Sequence, residues 1–237
     1  MGDPPETPRR NLTRAVAPAL AAAGLAAVGA ILLVSVNGRE RAARAPQDCI
    51  LEGADGLGGP ISLIDQNGAA VTQADFAGQP AVVYFGFTHC PDVCPTSMFA
   101  IAEALTQPDG YDLQPILITV DPARDTPERL REYVATEGFP HGLVGLTGSQ
   151  AQVDAALAAF HAYGRRHPPE PGAPGDVYNV DHSSFLYVLD RNWRPVAAMR
   201  TFRRENEADP SSAILPAPPA EIAACITAGL ERGRTGT

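Results

Sequence analysis

Ala81-Val82-Val83-Tyr84-Phe85-Gly86-Phe87, followed at once by Thr88-His89-Cys90-Pro91-Asp92-Val93-Cys94-Pro95, decides how this 237-residue chain folds. The first seven residues are apolar at both alternating sets of positions, the pattern of an inner strand covered on both faces. Beyond the cysteine loop, Met98, Ile101, Ala102 and Leu105 mark the buried stripe of a helix. Pro95 suits the first position of that helix, because proline has no N–H to leave unpaired. Two thiols four residues apart therefore stand where a strand ends and a helix begins. Such a pair is a soft-metal site or a redox site. With a helix starting near residue 94, Cys90 can fold back from the loop over Cys94, and the helix dipole favours a thiolate at Cys94.

Working outward, Ile61, Leu63 and Ile64 lead through the hairpin signal Gln66-Asn67-Gly68 to Val71-Thr72, and Gln73 to Gly78 reads as one helical turn. Gln114 to Val120 is a second apolar strand, ending at Asp121-Pro122. Thr126-Pro127-Glu128 gives an N-cap, a proline and an acid at the start of a helix carrying Leu130, Tyr133 and Val134. Ser149 caps another, with Val153, Ala156, Leu157 and Phe160 on one face. The proline-rich run 167–174 is a loop, Ser184–Leu189 and Pro195–Arg200 form a hairpin turning at Asp190-Arg191-Asn192, and 205–219 is a second loop before a closing helix over 220–230. Strand, helix, strand, helix, strand hairpin and final helix is the order of an α/β, thioredoxin-like domain. Residues 81–120 then form a right-handed crossover between parallel strands. The cysteines lie beyond the carboxyl end of a central strand, where open α/β sheets hold their sites.

The charges divide the chain. All 18 basic residues are Arg, and six of them fall in the first 44 residues with only three acids. The rest carries 12 Arg against 24 Asp plus Glu, a formal charge of −12, which excludes nucleic acid as an expected partner. Ala15 to Gly38 holds no charged residue over 24 positions, long enough as a helix to cross a hydrocarbon core of about 30 Å. We therefore expect a cytoplasmic N-terminus at 1–14, a transmembrane helix at 15–37, a linker at 38–57 and the folded domain at 58–232. Arginines flank the span on both sides, so charge alone does not orient it. A cleavable signal is the rival reading: Arg9-Arg10-Asn11-Leu12 resembles a twin-arginine signal, and Ala43-Arg44-Ala45 a cleavage site. Cys49 and Cys225 either bridge the two ends of the domain or are an incidental and a buried thiol.

Two thiolates suit Cu(I) best and Zn(II) next, while Cu(II) or Zn(II) needs at least one nitrogen ligand more. Of five histidines, His89 is held by its neighbour Cys90 in a direction away from the thiols, His141 sits alone in a loop, and His161 and His167 flank a basic, proline-rich patch. His182, in Asp181-His182-Ser183-Ser184, directly precedes a strand whose start would lie beside the cysteine loop. Asp92 reads as a loop acid, Asp121 as a turn cap or docking residue, Met98 as core, and Arg165-Arg166 as a solvated pair or a contact for an acidic partner.

Tyr84 to Pro95, Ile118-Thr119-Val120-Asp121-Pro122-Ala123-Arg124-Asp125-Thr126-Pro127 and Asp181-His182-Ser183-Ser184 together resemble the Sco/SenC family, over about 58–230. That family comprises membrane-tethered, thioredoxin-like copper metallochaperones of cytochrome c oxidase assembly. The resemblance implies copper, Cu(I) and Cu(II), held by Cys90, Cys94 and His182. It implies delivery to the copper A centre of cytochrome c oxidase subunit II, whose cysteines the redox pair Cys90/Cys94 could also reduce, and a further periplasmic copper chaperone as donor. It also implies a single-pass protein of the inner (cytoplasmic) membrane with its C-terminal domain in the periplasm. The sequences at 167–174 and 205–219 depart from the family's core pattern. The alternative is a periplasmic thiol-disulfide oxidoreductase or redox sensor on the same fold. Thioredoxin-type enzymes have two residues between their cysteines, whereas this loop has three. A peroxiredoxin-type peroxidase would need a Thr or Ser ahead of a single peroxidatic Cys, which this loop lacks.

Overall fold

The computed structural model describes residues 46, 48–50, 52–106, 112–168, 178–206 and 208–235. The expected cytoplasmic segment 1–14 and transmembrane span 15–37 lie outside the described residues. Among the described residues, no helix is long and apolar enough to cross a membrane.

Two apolar runs form the centre of the sheet. Strand β4 (Ala81–Gly86) is buried at every position, and β5 (Gln114–Thr119) pairs with it in parallel, Tyr84 opposite Leu117. Between them runs helix α1 (Val93–Leu105). Successive β4 residues face opposite sides. Tyr84 and Gly86 look toward α1, whereas Phe85 meets Phe160 at the end of helix α3 (Gln150–Ala159), ring centroids 5.5 Å apart. Cover on both faces explains the unbroken apolar sequence.

The remaining strands complete one eight-stranded sheet. In chain order they are β1 (Cys49–Ile50), β2 (Ser62–Asp65), β3 (Ala70–Thr72), β6 (Val144–Thr147), β9 (Phe185–Leu189) and β10 (Pro195–Arg200), and the spatial order is β1-β10-β9-β4-β5-β6-β2-β3. Among the described residues only β4–β5 and β5–β6 are parallel pairs; β9 is antiparallel to β4 and β10 to β9, the expected hairpin. Helix α2 (Pro127–Val134) begins at the expected Thr126 cap and packs on β6. Gly145 permits that approach: a Cβ there would lie 2.9 Å from Val134 Cγ1. Helix α3 begins at the expected Ser149 with a full capping box, and Gln73–Phe76 is the expected short turn, here a 3-10 helix.

Several expectations need correction. Helix α1 starts at Val93, so Pro95 is its third residue; proline is tolerated there because first-turn N–H groups have no intrahelical partner. Strand β6 falls in a stretch to which the sequence reading assigns no element. Strands β7 (Gly164–Arg166) and β8 (Val180–His182) are likewise additional to the expected elements and flank the expected 167–174 loop; they pair antiparallel with Gly164 opposite His182. The 205–219 loop contains β12 (Ile214–Pro216), paired with β11 (Phe202–Arg204), and the closing helix α4 runs over Pro219–Thr235. Residues 38–57, expected as linker, contribute β1 and a buried Ala54. Cys49 and Cys225 are disulfide-bonded across a separation of 176 residues, joining the edge strand to α4. Arg203 reinforces that junction, with Asp48 at 3.1 Å and Glu221 at 2.6 Å.

Candidate metal centre

The site forms where β4 stops. Cys90 lies in the loop, half-buried, and Cys94, the second residue of α1, is wholly buried. His182 ends β8. The two sulfurs and one imidazole nitrogen lie within 4.8 Å of one another, and the Cys94 Sγ to His182 Nε2 distance is 3.4 Å. Among the described residues this is the one cluster of three or more metal-capable side chains drawn so close. The structure thus gathers all three residues singled out in the sequence.

Local geometry fixes each of them. The Cys94 N–H donates to Cys90 Sγ at 3.3 Å, so a sulfur serves a first-turn donor that an N-cap oxygen usually satisfies. Asp92, the N-cap residue, makes no side-chain cap and instead accepts from the Thr96 hydroxyl. The thiolate site is therefore Cys90, not Cys94 as the helix-start argument predicts. A hydrogen bond from the Cys94 thiol, with the neighbouring His182 ring and hydrogen bonds from backbone N–H groups, pushes Cys90 down to about 4 against the cost of its burial. Burial pushes Cys94 up, and the neighbouring Cys90 adds to it. The pair acts as a unit in which Cys94 keeps the proton.

His182 places Nδ1 3.0 Å from the Ser183 carbonyl oxygen. That acceptor assigns the proton to Nδ1 and leaves Nε2, the atom facing Cys94, with its lone pair free. Tyr84 and Phe87 present their rings edge-on to the imidazole at 6.2 and 5.7 Å and hold its plane.

Three supports escaped the sequence argument. Gly86 leaves room for the buried thiol, since a Cβ there would lie 3.0 Å from Cys94 Sγ and 3.1 Å from Tyr84 Cε1. Asp125, wholly buried, accepts from the Thr88 N–H at 3.0 Å, the Thr88 hydroxyl at 2.7 Å and the Thr119 hydroxyl at 2.6 Å. It thereby ties the root of the cysteine loop to the end of β5. Ser183, as acceptor for Nδ1, is the third. Asp125 lies between a strand-end Asp-Pro and a Thr-Pro cap, and nothing in the pattern marks that carboxylate as buried.

The other candidates lie elsewhere. His89 turns Nδ1 to the Thr88 hydroxyl at 3.0 Å, away from the thiols, and His167 pairs with Asp181 at 2.7 Å. His141 and His161 are exposed. Met98 is core. Asp121 is buried and accepts from the Tyr178 hydroxyl at 2.7 Å and from Arg124. Arg166 lies over the Tyr178 ring at 4.1 Å, and Arg165 is 3.7 Å from Asp181, so the arginine pair is engaged on one side and exposed on the other.

The sequence model of the SCO1/SenC family matches residues 51–213. A SCO2-like protein of Rickettsia felis is 40% identical over 172 residues, 71% of this chain and 81% of that protein. Protein SenC of Rhodobacter capsulatus is 43% identical over 136 residues, 56% of this chain and 59% of its own length. Bradyrhizobium japonicum ScoI with copper bound superimposes with a TM-score of 0.56 at 36% identity, covering 73% of this chain and 99% of that one. Yeast Sco1 with copper bound gives a TM-score of 0.54 at 37% identity, covering 61% of this chain and 79% of the other.

Proposed function

The chain belongs to the SCO1/SenC family, and we propose that it is a copper metallochaperone that loads the copper A centre of cytochrome c oxidase subunit II, with Cys90, Cys94 and His182 as ligands. Supporting this reading is the convergence of two sulfurs and a correctly tautomerised imidazole within 4.8 Å. Thiolates retain Cu(I), and the imidazole adds the nitrogen that Cu(II) prefers. Loading displaces the proton held by Cys94, so copper uptake strengthens as pH rises. Cys90 is the reachable ligand, and exchange toward an acceptor's cysteines starts there. In this reading the charge-free stretch 15–37 anchors the chain in the inner membrane, the domain stands in the periplasm, and another periplasmic copper chaperone supplies the metal.

A second role rests on the asymmetry of the two thiols. The Cys90 thiolate attacks one sulfur of an acceptor disulfide and forms a mixed disulfide, releasing the acceptor's other thiolate. Cys94 then gives up its proton and attacks Cys90 Sγ, expelling the acceptor's second thiolate. The acceptor ends as a dithiol and this chain as a Cys90–Cys94 disulfide.

Titration of the reduced chain with Cu(I) and Cu(II) tests the carrier reading. One copper per chain is expected, with His182→Ala lowering Cu(II) affinity about tenfold or more and altering its absorption. A chain that surrenders copper to a moderate chelator is no carrier. An unchanged Cu(II) spectrum in His182→Ala removes the third ligand.

A further inference from the structure

A chain of buried hydroxyls joins the two arms of the site. Ser97, one turn beyond Cys94 on α1, is wholly buried, and so is Thr201, between β10 and β11. The Ser97 hydroxyl donates to Thr201 Oγ1 at 2.9 Å, and the Thr201 hydroxyl donates to the Ser184 carbonyl oxygen at 3.1 Å. Ser184 follows His182 by two residues. The path from one ligand to the other thus runs Cys94, Ser97, Thr201, Ser184, His182.

The Thr201 hydroxyl is not needed to hold its own backbone. The Thr201 N–H donates to the same Ser184 carbonyl at 2.8 Å, and the Ala217 N–H donates to the Thr201 carbonyl at 2.8 Å. On its far side the His182 link is held by Ser183, whose N–H donates to the Tyr163 carbonyl at 3.0 Å and whose Oγ accepts the Tyr163 N–H at 2.9 Å. What the hydroxyl adds is the tie to α1. Exchanging two mutually bonded buried hydroxyls for apolar groups of similar shape costs little stability. A Ser–Thr pair at this place therefore serves position more than stability. The Tyr84 hydroxyl is buried in the same spot, beside Ser97, Thr201 and Ser184 and without a well-formed hydrogen bond, while the Tyr84 ring meets His182 edge-on.

We propose that Thr201 is a positioning residue: through Ser97 and Ser184 it sets the separation of the Cys94 helix from the His182 link, and so the share of His182 in metal binding. The inference rests on the carrier reading for its metal, but the tie itself exists in the metal-free chain. Both are tested separately with full-length Thr201→Val, Thr201→Ser and the double variant Ser97→Ala/Thr201→Val. In Thr201→Val and the double variant, Cu(I) affinity is expected to stay within about threefold of wild type while Cu(II) affinity falls about tenfold with a changed absorption spectrum. Thr201→Ser is expected to restore both.

Hydrogen exchange on the metal-free chains supplies the second arm. Amides of residues 182–184 are expected to exchange faster in Thr201→Val, with those of β4 and β5 unchanged, and to recover in Thr201→Ser. Equal losses of Cu(I) and Cu(II), an unchanged Cu(II) spectrum, or a Thr201→Ser no better than Thr201→Val would overturn the proposal. If wild type holds no copper, the carrier reading fails and the exchange experiment alone decides: unaltered exchange at 182–184 rejects the tie, and faster exchange there, recovered in Thr201→Ser, sustains it. Should Thr201→Val fail to fold, the double variant, which leaves no Ser97 hydroxyl facing the new methyl group, decides by the same measurements.

Discussion

The chemistry of the site turns on the difference between two cysteines four residues apart, one in the loop and one in the first turn of α1. Cys90 accepts hydrogen bonds at the helix start and reaches solvent, whereas Cys94 is sealed under it. In the reduced, metal-free chain, iodoacetamide should therefore label Cys90 before Cys94. With Cys90 ionising at about 4, its labelling rate should change less than about threefold from pH 8 to pH 6. An ordinary thiol of pKa about 8.5 would slow by roughly two orders of magnitude over that range. Peptide mass spectrometry reads both results, and preferential labelling of Cys94 would contradict the assignment. Gly86 offers a test of the space beneath the site. Gly86→Ala puts a methyl 3.0 Å from Cys94 Sγ and 3.1 Å from Leu117 Cδ1, against tightly packed neighbours. A loss of about 1–3 kcal/mol in urea unfolding is expected, together with weaker copper retention.

Between elements, the cysteine loop is held by a carboxylate rather than by a strand. Asp125→Ala would leave the Thr88 N–H and the hydroxyls of Thr88 and Thr119 without their acceptor. Each buried donor left unpaired costs about 1–3 kcal/mol, so a loss of about 3 kcal/mol or more is expected in chemical denaturation. Asp125→Asn, which keeps one acceptor oxygen, should lose less. How far such elements can be read from sequence varies with what surrounds them. β4 and β5 are legible because burial on both faces leaves continuous apolar runs, and α2 and α3 because Thr126 and Ser149 are caps. β6 is four residues, Val-Gly-Leu-Thr, too short and glycine-interrupted to show a period. β7 is Gly-Arg-Arg with every residue exposed, so its strand character comes from pairing with β8 and not from its composition. His182 was legible as a neighbour of the cysteine loop only through a fold already inferred. Asp125 and Thr201 were not, because their roles are defined by partners distant in sequence.

Across the whole molecule, the disulfide closes nearly the entire domain into one loop. Cys49 opens the edge strand beside β10, and Cys225 is buried in α4 against the sheet. Spacing alone left this pairing open, since nothing in a sequence says which distant thiols meet. Reducing the unfolded chain's freedom across 176 residues should stabilise the domain by about 2–5 kcal/mol. Cys49→Ser and Cys225→Ser should each lower the thermal midpoint by a similar amount, read by circular dichroism. A midpoint unchanged in both would show that the Arg203 ion pairs and the β1 pairing suffice.

The domain thus carries two sulfur pairs in different places, each with one half-buried and one wholly buried member: Cys90 over Cys94 at the site, and Cys49 bonded to Cys225 of α4. The first pair meets at the end of a central strand, where a ligand can approach, and the second is already joined at the edge of the sheet, between β1 and α4. Making and breaking a bond between the working thiols therefore need not pass through the bond that fastens the scaffold aligning them.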